Sequence, residues 1–287
     1  MYKPFKARVP DLGYTGLLQT ILHKGHKMQT PFHGQSALRL LGVRLEFDMR
    51  EGFPLTTLRS VKGSFKQALG EIIAFMNGAH TQEELKYYGC TWWDRWVTEE
   101  RCKRFDLPTG ELGRGSYGPV LQPQIIPLLD QMREYPTSRT HVLTTWDPQF
   151  AIPRWRKPRE VVVAPCHGTV VHFNLDPETK ELELVHVQRS GDVPVGVVFN
   201  IVHYAAMGMM FAQVLGYTMG RLVHIILDAH IYEEQIPYVE KLLERAPNAF
   251  PTVTLDPKIE HIFDFRAEHF ALTDYDPHPA LNIPTPT

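Results

Sequence analysis

The longest apolar segment of the chain is the feature that most restricts its fold. Residues 200–217, NIVHYAAMGMMFAQVLGY, approach the length of a membrane span but include Asn200, His203 and Gln213. The flanking residues lack the charge asymmetry that orients a transmembrane helix. We therefore expect a helix that is buried in the core of a globular protein, with the other elements packed around it.

The composition is that of an ordinary globular protein. The 287 residues are 43% hydrophobic, and no repeat, long Ser/Gly linker or charge block marks a domain boundary. We expect the whole chain, 1–287, to form a single domain. A formal net charge of −2 gives no global attraction to DNA or to an anionic membrane, so an anionic ligand must be small and locally held.

The cysteines and the N-terminus indicate a reducing compartment. Cys90, Cys102 and Cys166 are an odd number without CxxC spacing, which disfavours a disulfide framework and a structural zinc site, so no metal is expected. The first residues lack an apolar core of signal-peptide length. We expect a cytoplasmic protein, in the host cytoplasm if the chain is of phage origin.

The local patterns mix helices with antiparallel strand pairs. Apolar alternation and turn residues predict strands over 38–49, 160–163, 169–175, 182–188 and 221–227, with a hairpin turn at 176–180. Helical spacing predicts a helix over 64–77 with Ser64 as its N-cap and Glu71 beside its apolar face. Residues 98–118 are predicted to be a surface loop that covers a ligand. This order favours an α+β layered fold over a doubly wound one.

Cys166 lies in an unusual local setting. The stretch 160–173, EVVVAPCHGTVVHF, places it between two β-branched runs. A lone Cys in apolar surroundings is usually an inert buried thiol. Here Pro165 interrupts the strand pattern, and His167 and Gly168 follow, so the thiol lies at a backbone break that can aim it into a cleft. These residues alone leave both readings open.

Several separated motifs together resemble one family. They are residues 92–96 (WWDRW), 164–167 (APCH), 188–192 (QRSGD), 196–201 (GVVFNI), 228–232 (DAHIY) and 275–279 (YDPHP). Their order and spacing are similar to those of thymidylate synthases and the related pyrimidine-nucleotide hydroxymethylases. From residue 38 to the C-terminus, the resemblance implies an α+β thymidylate synthase-like fold, with a mixed sheet at a homodimer interface and a long buried helix.

The resemblance also implies catalytic roles. Cys166 would be the thiolate that adds to C6 of a pyrimidine and makes C5 nucleophilic, which requires a depressed thiol pKa. Arg189 would contact both the substrate phosphate and this thiol. Glu71 would relay protons to the pyrimidine carbonyl, and a carboxylate beside an apolar stripe is expected to have a raised pKa. The implied catalytic set is Cys166, Glu71, Arg189, Asp192, Trp93 and Tyr117.

The same resemblance implies how the substrates bind. Asn200 matches an amide that satisfies O4 and N3–H of uracil, where relatives specific for dCMP have aspartate; a helix N-cap is its alternative role. His230 and Tyr232 match the pair that holds the sugar 3′-hydroxyl. The implied substrate-binding set is Arg139, Gln188, Arg189, Ser190, Asn200, His230 and Tyr232. The co-substrate would be 5,10-methylenetetrahydrofolate, held by Trp93, Trp96, Asp192 and Gly196, although the tryptophans could equally be simple packing.

The chain departs from the family pattern around the phosphate and the folate. Phe32 stands about where an arginine clamps the nucleotide phosphate, and Arg139 is followed by Thr140 where the family pairs two arginines. We expect Arg139 to enter the site of the other subunit, and Arg114 or Ser190 to replace the missing arginine. Residues 56–58 (TTL) stand where the family has Thr-Thr-Lys, and residues 282–287 replace an apolar C-terminal cap.

These departures affect closure of the site, and a wetter site favours water over hydride as the acceptor of the transferred methylene. The sequence therefore predicts folate-dependent hydroxymethylation of dUMP. The alternatives are methylation of dUMP to dTMP, hydroxymethylation of CMP or UMP, and a catalytically silent relative that binds nucleotides or RNA.

Overall fold

The computed structural model describes residues 2–29, 35–153 and 158–285. Phe32 lies outside these ranges. The α-helices are α1 (Gly13–Lys24), α2 (Lys62–Met76), α3 (Gln82–Tyr87), α4 (Glu99–Lys103), α5 (Tyr117–Glu134), α6 (Pro148–Ala151), α7 (Val198–Leu215) and α8 (Ile236–Leu243). The strands are β1 (His26–Gln29), β2 (Ser36–Asp48), β3 (Val142–Leu143), β4 (Val170–Asp176), β5 (Glu181–Gln188), β6 (Gly191–Asp192), β7 (Thr218–Tyr232), β8 (Thr252–Leu255) and β9 (Phe270–Thr273).

The main sheet is mixed. Its strands follow the order β1-β2-β7-β5-β4-β3, and β6 pairs with β7. Strands β5 and β6 run parallel to β7, whereas the other neighbours are antiparallel. Strands β8 and β9 form a separate antiparallel pair. Helices and antiparallel pairs are therefore mixed, as the predicted α+β fold requires.

Helix α7 forms the centre of the core. Its residues Tyr204, Met207 and Phe211 are completely buried, and the helix ends at Gly216 in the left-handed conformation. With the π-helical turn Val193–Val197 before it, the segment is long and apolar enough to cross a membrane by length and composition, but 78% of its most apolar window is buried in the fold. The predicted buried helix is confirmed.

The strand and turn predictions are mostly correct. Strands β2, β4, β5 and β7 lie where alternation predicts them, and the Asp176 carboxylate accepts backbone hydrogen bonds from Glu178 and Thr179 in the predicted turn. The strand over 160–163 is wrong. There, Arg159 donates to the carbonyl groups of Val161 and Val162. These carbonyls bind a side chain instead of a neighbouring strand.

Two other local predictions are also wrong. Helix α2 begins at Lys62, and its N-cap is Val61 without a side-chain hydrogen bond, so Ser64 does not cap it. The segment 98–118, predicted to be a surface loop, contains helix α4 and ends at the start of α5. Two of its own residues, Leu112 and Ser116, are buried. Burial of this segment fixes Tyr117 in the interior.

Candidate active site

Two adjoining cavities meet at Cys166. One has a volume of about 690 Å³ and the other about 420 Å³. Both walls include Cys166, Ser190, His230 and Tyr232. The residues that the sequence singles out and the structure brings into these walls are Glu71, Trp93, Trp96, Tyr117, Cys166, Arg189, Ser190, Asp192, Gly196, Asn200, His230 and Tyr232.

Two further residues of the expected site lie outside the walls. Gln188 is buried and hydrogen-bonded to Asn200. Arg139 is exposed just before β3, and its carbonyl oxygen lies 3.2 Å from His172 Nε2. Arg139 therefore does not line either cavity of its own chain.

Backbone contacts fix the position of Cys166. Its carbonyl oxygen accepts hydrogen bonds from the backbone N–H groups of Arg189 and Ser190, which follow β5. Its own N–H donates to the Tyr117 hydroxyl at 2.8 Å, and that hydroxyl lies 3.3 Å from Cys166 Sγ. Because the Tyr117 oxygen already accepts one hydrogen bond, its proton is free to point at the sulfur. Tyr117 can thus stabilise a thiolate.

A glycine keeps the backbone after Cys166 close to the core. Gly168 has a φ of 72°, where a residue with a side chain is strained. A Cβ atom at this position would lie 2.4 Å from the Tyr204 hydroxyl and 2.6 Å from Thr145 Cγ2. The Gly168 N–H donates to His186 Nε2. The glycine therefore lets the backbone of the thiol loop approach buried polar side chains.

The thiol pKa differs from the expectation. Burial raises the pKa of Cys166, and the hydrogen bond from Tyr117 and the charge of Arg189 oppose this rise without cancelling it. The expected depressed pKa is therefore not found. The thiol is largely protonated near neutral pH, and its proton must leave as the sulfur attacks.

Arg189 has two structural contacts beside the thiol. Its guanidinium donates to the carbonyl groups of Pro165 and Ala164 and lies 5.3 Å from the centre of the Trp146 ring. These contacts hold the loop that precedes Cys166. The same side chain lines the larger cavity, where its charge faces any anionic group bound there.

The larger cavity carries more arginines than the motifs predict. Arg39, Arg101, Arg104 and Arg159 line it together with Arg189. Arg39 comes from β2, Arg101 and Arg104 come from the α4 region, and Arg159 comes from the loop before Cys166. Of these, only Arg39 could have been predicted from the sequence, through the alternation of β2. Arg114 instead lines a separate cavity beside Gln124 and Phe150. In this chain it does not line the larger cavity, and its expected role at the phosphate stays a prediction.

Asp228 organises one side of this cavity. Its Oδ1 lies 3.1 Å from His230 Nδ1, and its Oδ2 lies 3.5 Å from an Arg39 nitrogen. Arg39 and His230 are directly opposite each other in the β2–β7 register. The Tyr232 ring meets His230 edge-on at 5.0 Å. Charged and hydroxyl-bearing groups therefore meet at one end of two neighbouring strands.

Glu71 lies in the wall of the smaller cavity. It projects from α2 and is 7% exposed. Its Oε1 accepts a hydrogen bond from Trp93 Nε1 at 2.5 Å, and its Oε2 lies 3.0 Å from His203 Nε2. The Glu71–His203 contact is close but is not a hydrogen bond. Neither ring nitrogen of His203 makes a hydrogen bond in the described part of the chain. The carboxylate and the imidazole thus form an adjacent buried pair.

A directional chain of hydrogen bonds ends at Asn200. His186 Nε2 accepts from Gly168 N–H, so a neutral His186 carries its proton on Nδ1, which lies 3.4 Å from His224 Nδ1. His224 then carries its proton on Nε2 and donates to Gln188 Oε1 at 2.9 Å. Gln188 Nε2 donates to Asn200 Oδ1 at 2.8 Å. Each link fixes the orientation of the next.

The chain requires neutral imidazoles, and burial supplies them. Burial lowers the pKa of His186 well below its usual range and lowers the pKa of His224 to about 3. Because Asn200 Oδ1 is held by Gln188, flipping the amide would bring two NH₂ groups together. The Asn200 Nδ2 group therefore remains as the donor. Asn200 lies in the first turn of α7, whose N-cap is Val197, so the alternative N-cap role is wrong.

Asp192 lies in the wall of the smaller cavity. Both carboxylate oxygens accept from Gln235 Nε2 at 3.1 Å. Burial raises the pKa of Asp192 to about 6, although the charge of His230 and the hydrogen bond from Gln235 lower it. Nearby, Arg59 is 9% exposed, and its guanidinium donates to the carbonyl of Pro194. Arg59 directly follows residues 56–58, so a cation is present one residue after Leu58, the position where the family pattern has lysine.

The side chains of the smaller cavity suit a reduced folate. Trp92, Trp93, Trp96 and Phe199 provide flat aromatic walls, and Asp192 provides a carboxylate that can accept the N–H groups of a pterin. The C-terminal segment completes the wall. Pro284 accepts a hydrogen bond from Gln235 Nε2, and Thr285 lines the cavity. The polar tail thus reaches the site even though it differs from an apolar cap.

Folate binding should depend on the protonation of Asp192. Because its pKa is raised to about 6, the carboxylate loses its charge, and with it one acceptor, as the pH falls through this value. We expect the affinity for a non-reactive folate analogue, measured by calorimetry between about pH 5 and 8, to fall on the acid side. Asp192→Asn should bind weakly, without this pH step. The same step in the variant would contradict the role of Asp192.

The motifs and the fold agree with one protein family. The family model described as thymidylate synthase matches residues 12–286. The match includes every motif that forms the two cavities.

Proposed function

The chain belongs to the thymidylate synthase family, and we propose that within it this protein hydroxymethylates C5 of dUMP with 5,10-methylenetetrahydrofolate. The family supports folate-dependent one-carbon transfer to C5 of a pyrimidine nucleotide in general. The choice of dUMP and of the hydroxymethyl product are our proposals. The co-substrate would supply one carbon at the oxidation level of formaldehyde.

Covalent catalysis at Cys166 is the first step that the geometry favours. Attack of the sulfur on C6 converts the base into an enolate whose C5 is nucleophilic. The Tyr117 hydroxyl, 3.3 Å from Sγ, and the charge of Arg189 favour the thiolate in the buried site. Glu71, held by Trp93, lies in the same cavity wall and can exchange protons with the bound base.

The orientation of Asn200 favours a uracil base. Its Nδ2 donor matches O4 of uracil, and the second lone pair of Oδ1 can accept N3–H. Cytosine presents an N4 amine and an unprotonated N3, which require the opposite pattern. The hydrogen-bond chain through Gln188 opposes the amide flip that would provide it. The arginine-lined cavity beside the base site supports a nucleoside monophosphate as the substrate.

The polar groups around the smaller cavity are the observation that carries the product proposal. Glu71, His203 and Thr285 line it among the aromatic side chains. Such groups hold water, and water beside an exocyclic methylene favours hydration over hydride transfer. Trp93 and the other aromatic walls favour the second candidate, methylation to dTMP, because they can keep a folate stacked over the base.

The product test uses dUMP, dCMP, UMP and CMP, each with methylenetetrahydrofolate. We expect mass spectrometry to find a hydroxymethyl product from dUMP with release of tetrahydrofolate. A methyl product with equimolar dihydrofolate would establish the second candidate instead. Binding of dUMP without release of tritium from [5-³H]-dUMP would identify a catalytically silent relative.

The assembly that we propose is a homodimer that shares its active sites. Leu227 on β7 is an exposed apolar side chain, which a second copy of the sheet would cover. Arg139 is exposed in its own chain. We propose that it completes the phosphate cavity of the partner, while the chain as a whole acts in the cytoplasm.

Subunit mixing tests the shared site. Cys166→Ala and Arg139→Ala homodimers should each have little activity. In a mixed dimer, one site combines an intact Cys166 with an intact Arg139 from the other chain, so random mixing should restore about a quarter of the wild-type activity. Activity that stays at the level of the unmixed variants, or an active monomer in sedimentation, would contradict this arrangement.

A further inference from the structure

His203 is a buried titratable residue in the active-site wall that none of the motifs assigns. It lies on α7 one turn after Asn200, so the two side chains share a helix face. His203 is completely buried, yet it lines the smaller cavity with Cys166 and Trp93. Its ring is tilted against that of His167 at 5.5 Å between centroids.

The polar atoms of His203 are poorly satisfied by the protein. Neither Nδ1 nor Nε2 makes a hydrogen bond in the described part of the chain. A buried polar group without a hydrogen bond destabilises a fold unless it serves another purpose. The other buried imidazoles near the site, His167, His186 and His224, all make hydrogen bonds. His203 therefore differs from them in that neither of its ring nitrogens makes a hydrogen bond to the described residues, and only Nε2 has a close polar neighbour, the Glu71 carboxylate.

Glu71 gives this imidazole a charge partner. Its Oε2 lies 3.0 Å from His203 Nε2. If His203 gains a proton, the pair becomes an imidazolium beside a carboxylate, which is favourable in a buried site. Other titratable groups around His203 include Cys166, which lines the same cavity, and His167 and His186, whose pKa values burial lowers well below their usual range. A neutral His167 leaves Glu71 as the main electrostatic partner.

We propose that His203, paired with Glu71, is the general base that removes a proton from the water attacking the exocyclic methylene. This inference rests on the proposed hydroxymethylation and names the residue that performs its last chemical step. Without a base, water is a weak nucleophile, and a positioned base contributes about 10²–10⁴-fold to such a step.

The water step conserves atoms and charge. After the folate amine has left, the base carries a C5=CH₂ group conjugated with its C4 carbonyl, and C6 is bonded to Cys166 Sγ. Water oxygen bonds to the CH₂ carbon while one water proton passes to His203. The π electrons move towards C4 as an enolate and then form the C5=C6 bond, which expels the Cys166 thiolate. The proton on His203 is later returned to the thiolate or to solvent.

A single-turnover experiment with enzyme in excess of [5-³H]-dUMP separates this step from the earlier ones. Tritium release reports loss of the C5 proton, and chromatography of the quenched reaction reports the hydroxymethyl product. In His203→Gln, we expect tritium release within about threefold of wild type and product formation slowed by about 100-fold or more. Mass spectrometry of the denatured variant should show the methylene adduct accumulating on Cys166.

Two further variants control for structural damage. His141 is also completely buried, but it contacts Gln131 and Tyr135 away from the cavities, so His141→Gln should keep both rates. His203→Asn replaces the same ring with a smaller amide and provides a second test if the Gln variant does not fold. Equal loss of tritium release and product in both position-203 variants would place His203 before the water step and overturn the proposal.

The wild-type product separates the two levels of inference. If wild type forms the hydroxymethyl product and His203→Gln keeps its rate of formation, only the role of His203 fails. If wild type forms dTMP with dihydrofolate, the proposed function fails and no water step remains for His203. A slow product step with normal tritium release supports both.

Discussion

Replacing Cys166 with Ala is expected to lower tritium release from [5-³H]-dUMP by about 10⁴-fold or more, because no other group can activate C5 through a covalent bond to C6. Cys166 is the cysteine that lines both cavities, and its sulfur lies 3.3 Å from the Tyr117 hydroxyl. The measurement is a tritium-release assay with saturating methylenetetrahydrofolate. Mass spectrometry of the quenched enzyme should also find no nucleotide adduct.

Cys102 provides the matched control for this substitution. It is equally small and completely buried, but its sulfur faces the carbonyl of Glu111 outside the two cavities. Cys102→Ala should therefore keep the adduct and most of the activity, with only a modest loss of stability. Turnover in Cys166→Ala within tenfold of the Cys102→Ala value would contradict a covalent mechanism.

The sequence predicts regular elements where a strong local pattern agrees with the tertiary environment. Helix α7 is apolar around most of its surface and most of its residues are buried, and the alternation in β4 and β5 matches one face packed on the core. Residues 160–163 have the composition of a strand but no strand partner. Composition does not show whether a neighbouring strand is present, so this prediction failed.

The motifs predict which residues of the site converge but not how they act on each other. The thiol pKa depends on burial by groups distant in sequence, so a rule based on the nearby Arg189 gave the wrong direction. The orientation of Asn200 similarly depends on His186 and His224, which face each other from β5 and β7. Side chains that come together across strands leave no trace in the local pattern of either strand.

The same hydrogen-bond chain determines the second large effect, because it fixes which atoms of residue 200 face the base. Gln188 Nε2 donates to Asn200 Oδ1 at 2.8 Å, and an aspartate could accept this bond with one of its oxygens. Its other oxygen would replace the Nδ2 donor with an acceptor. That acceptor would oppose O4 of uracil and match the N4 amine of cytosine. The network behind residue 200 would stay satisfied, so the change acts on the base alone.

Asn200→Asp is therefore expected to lower kcat/KM for dUMP by about 100-fold and to raise it for dCMP, because the lost donor leaves O4 facing a carboxylate. The measurement is product formation from each nucleotide, with tritium release as a second signal. Asn174→Asp is the charge-matched control, since Asn174 is exposed on β4, and it should leave the preference for uracil unchanged. If Asn200→Asp also keeps that preference, then the amide at this position does not select the base, and the phosphate and sugar contacts must carry the specificity.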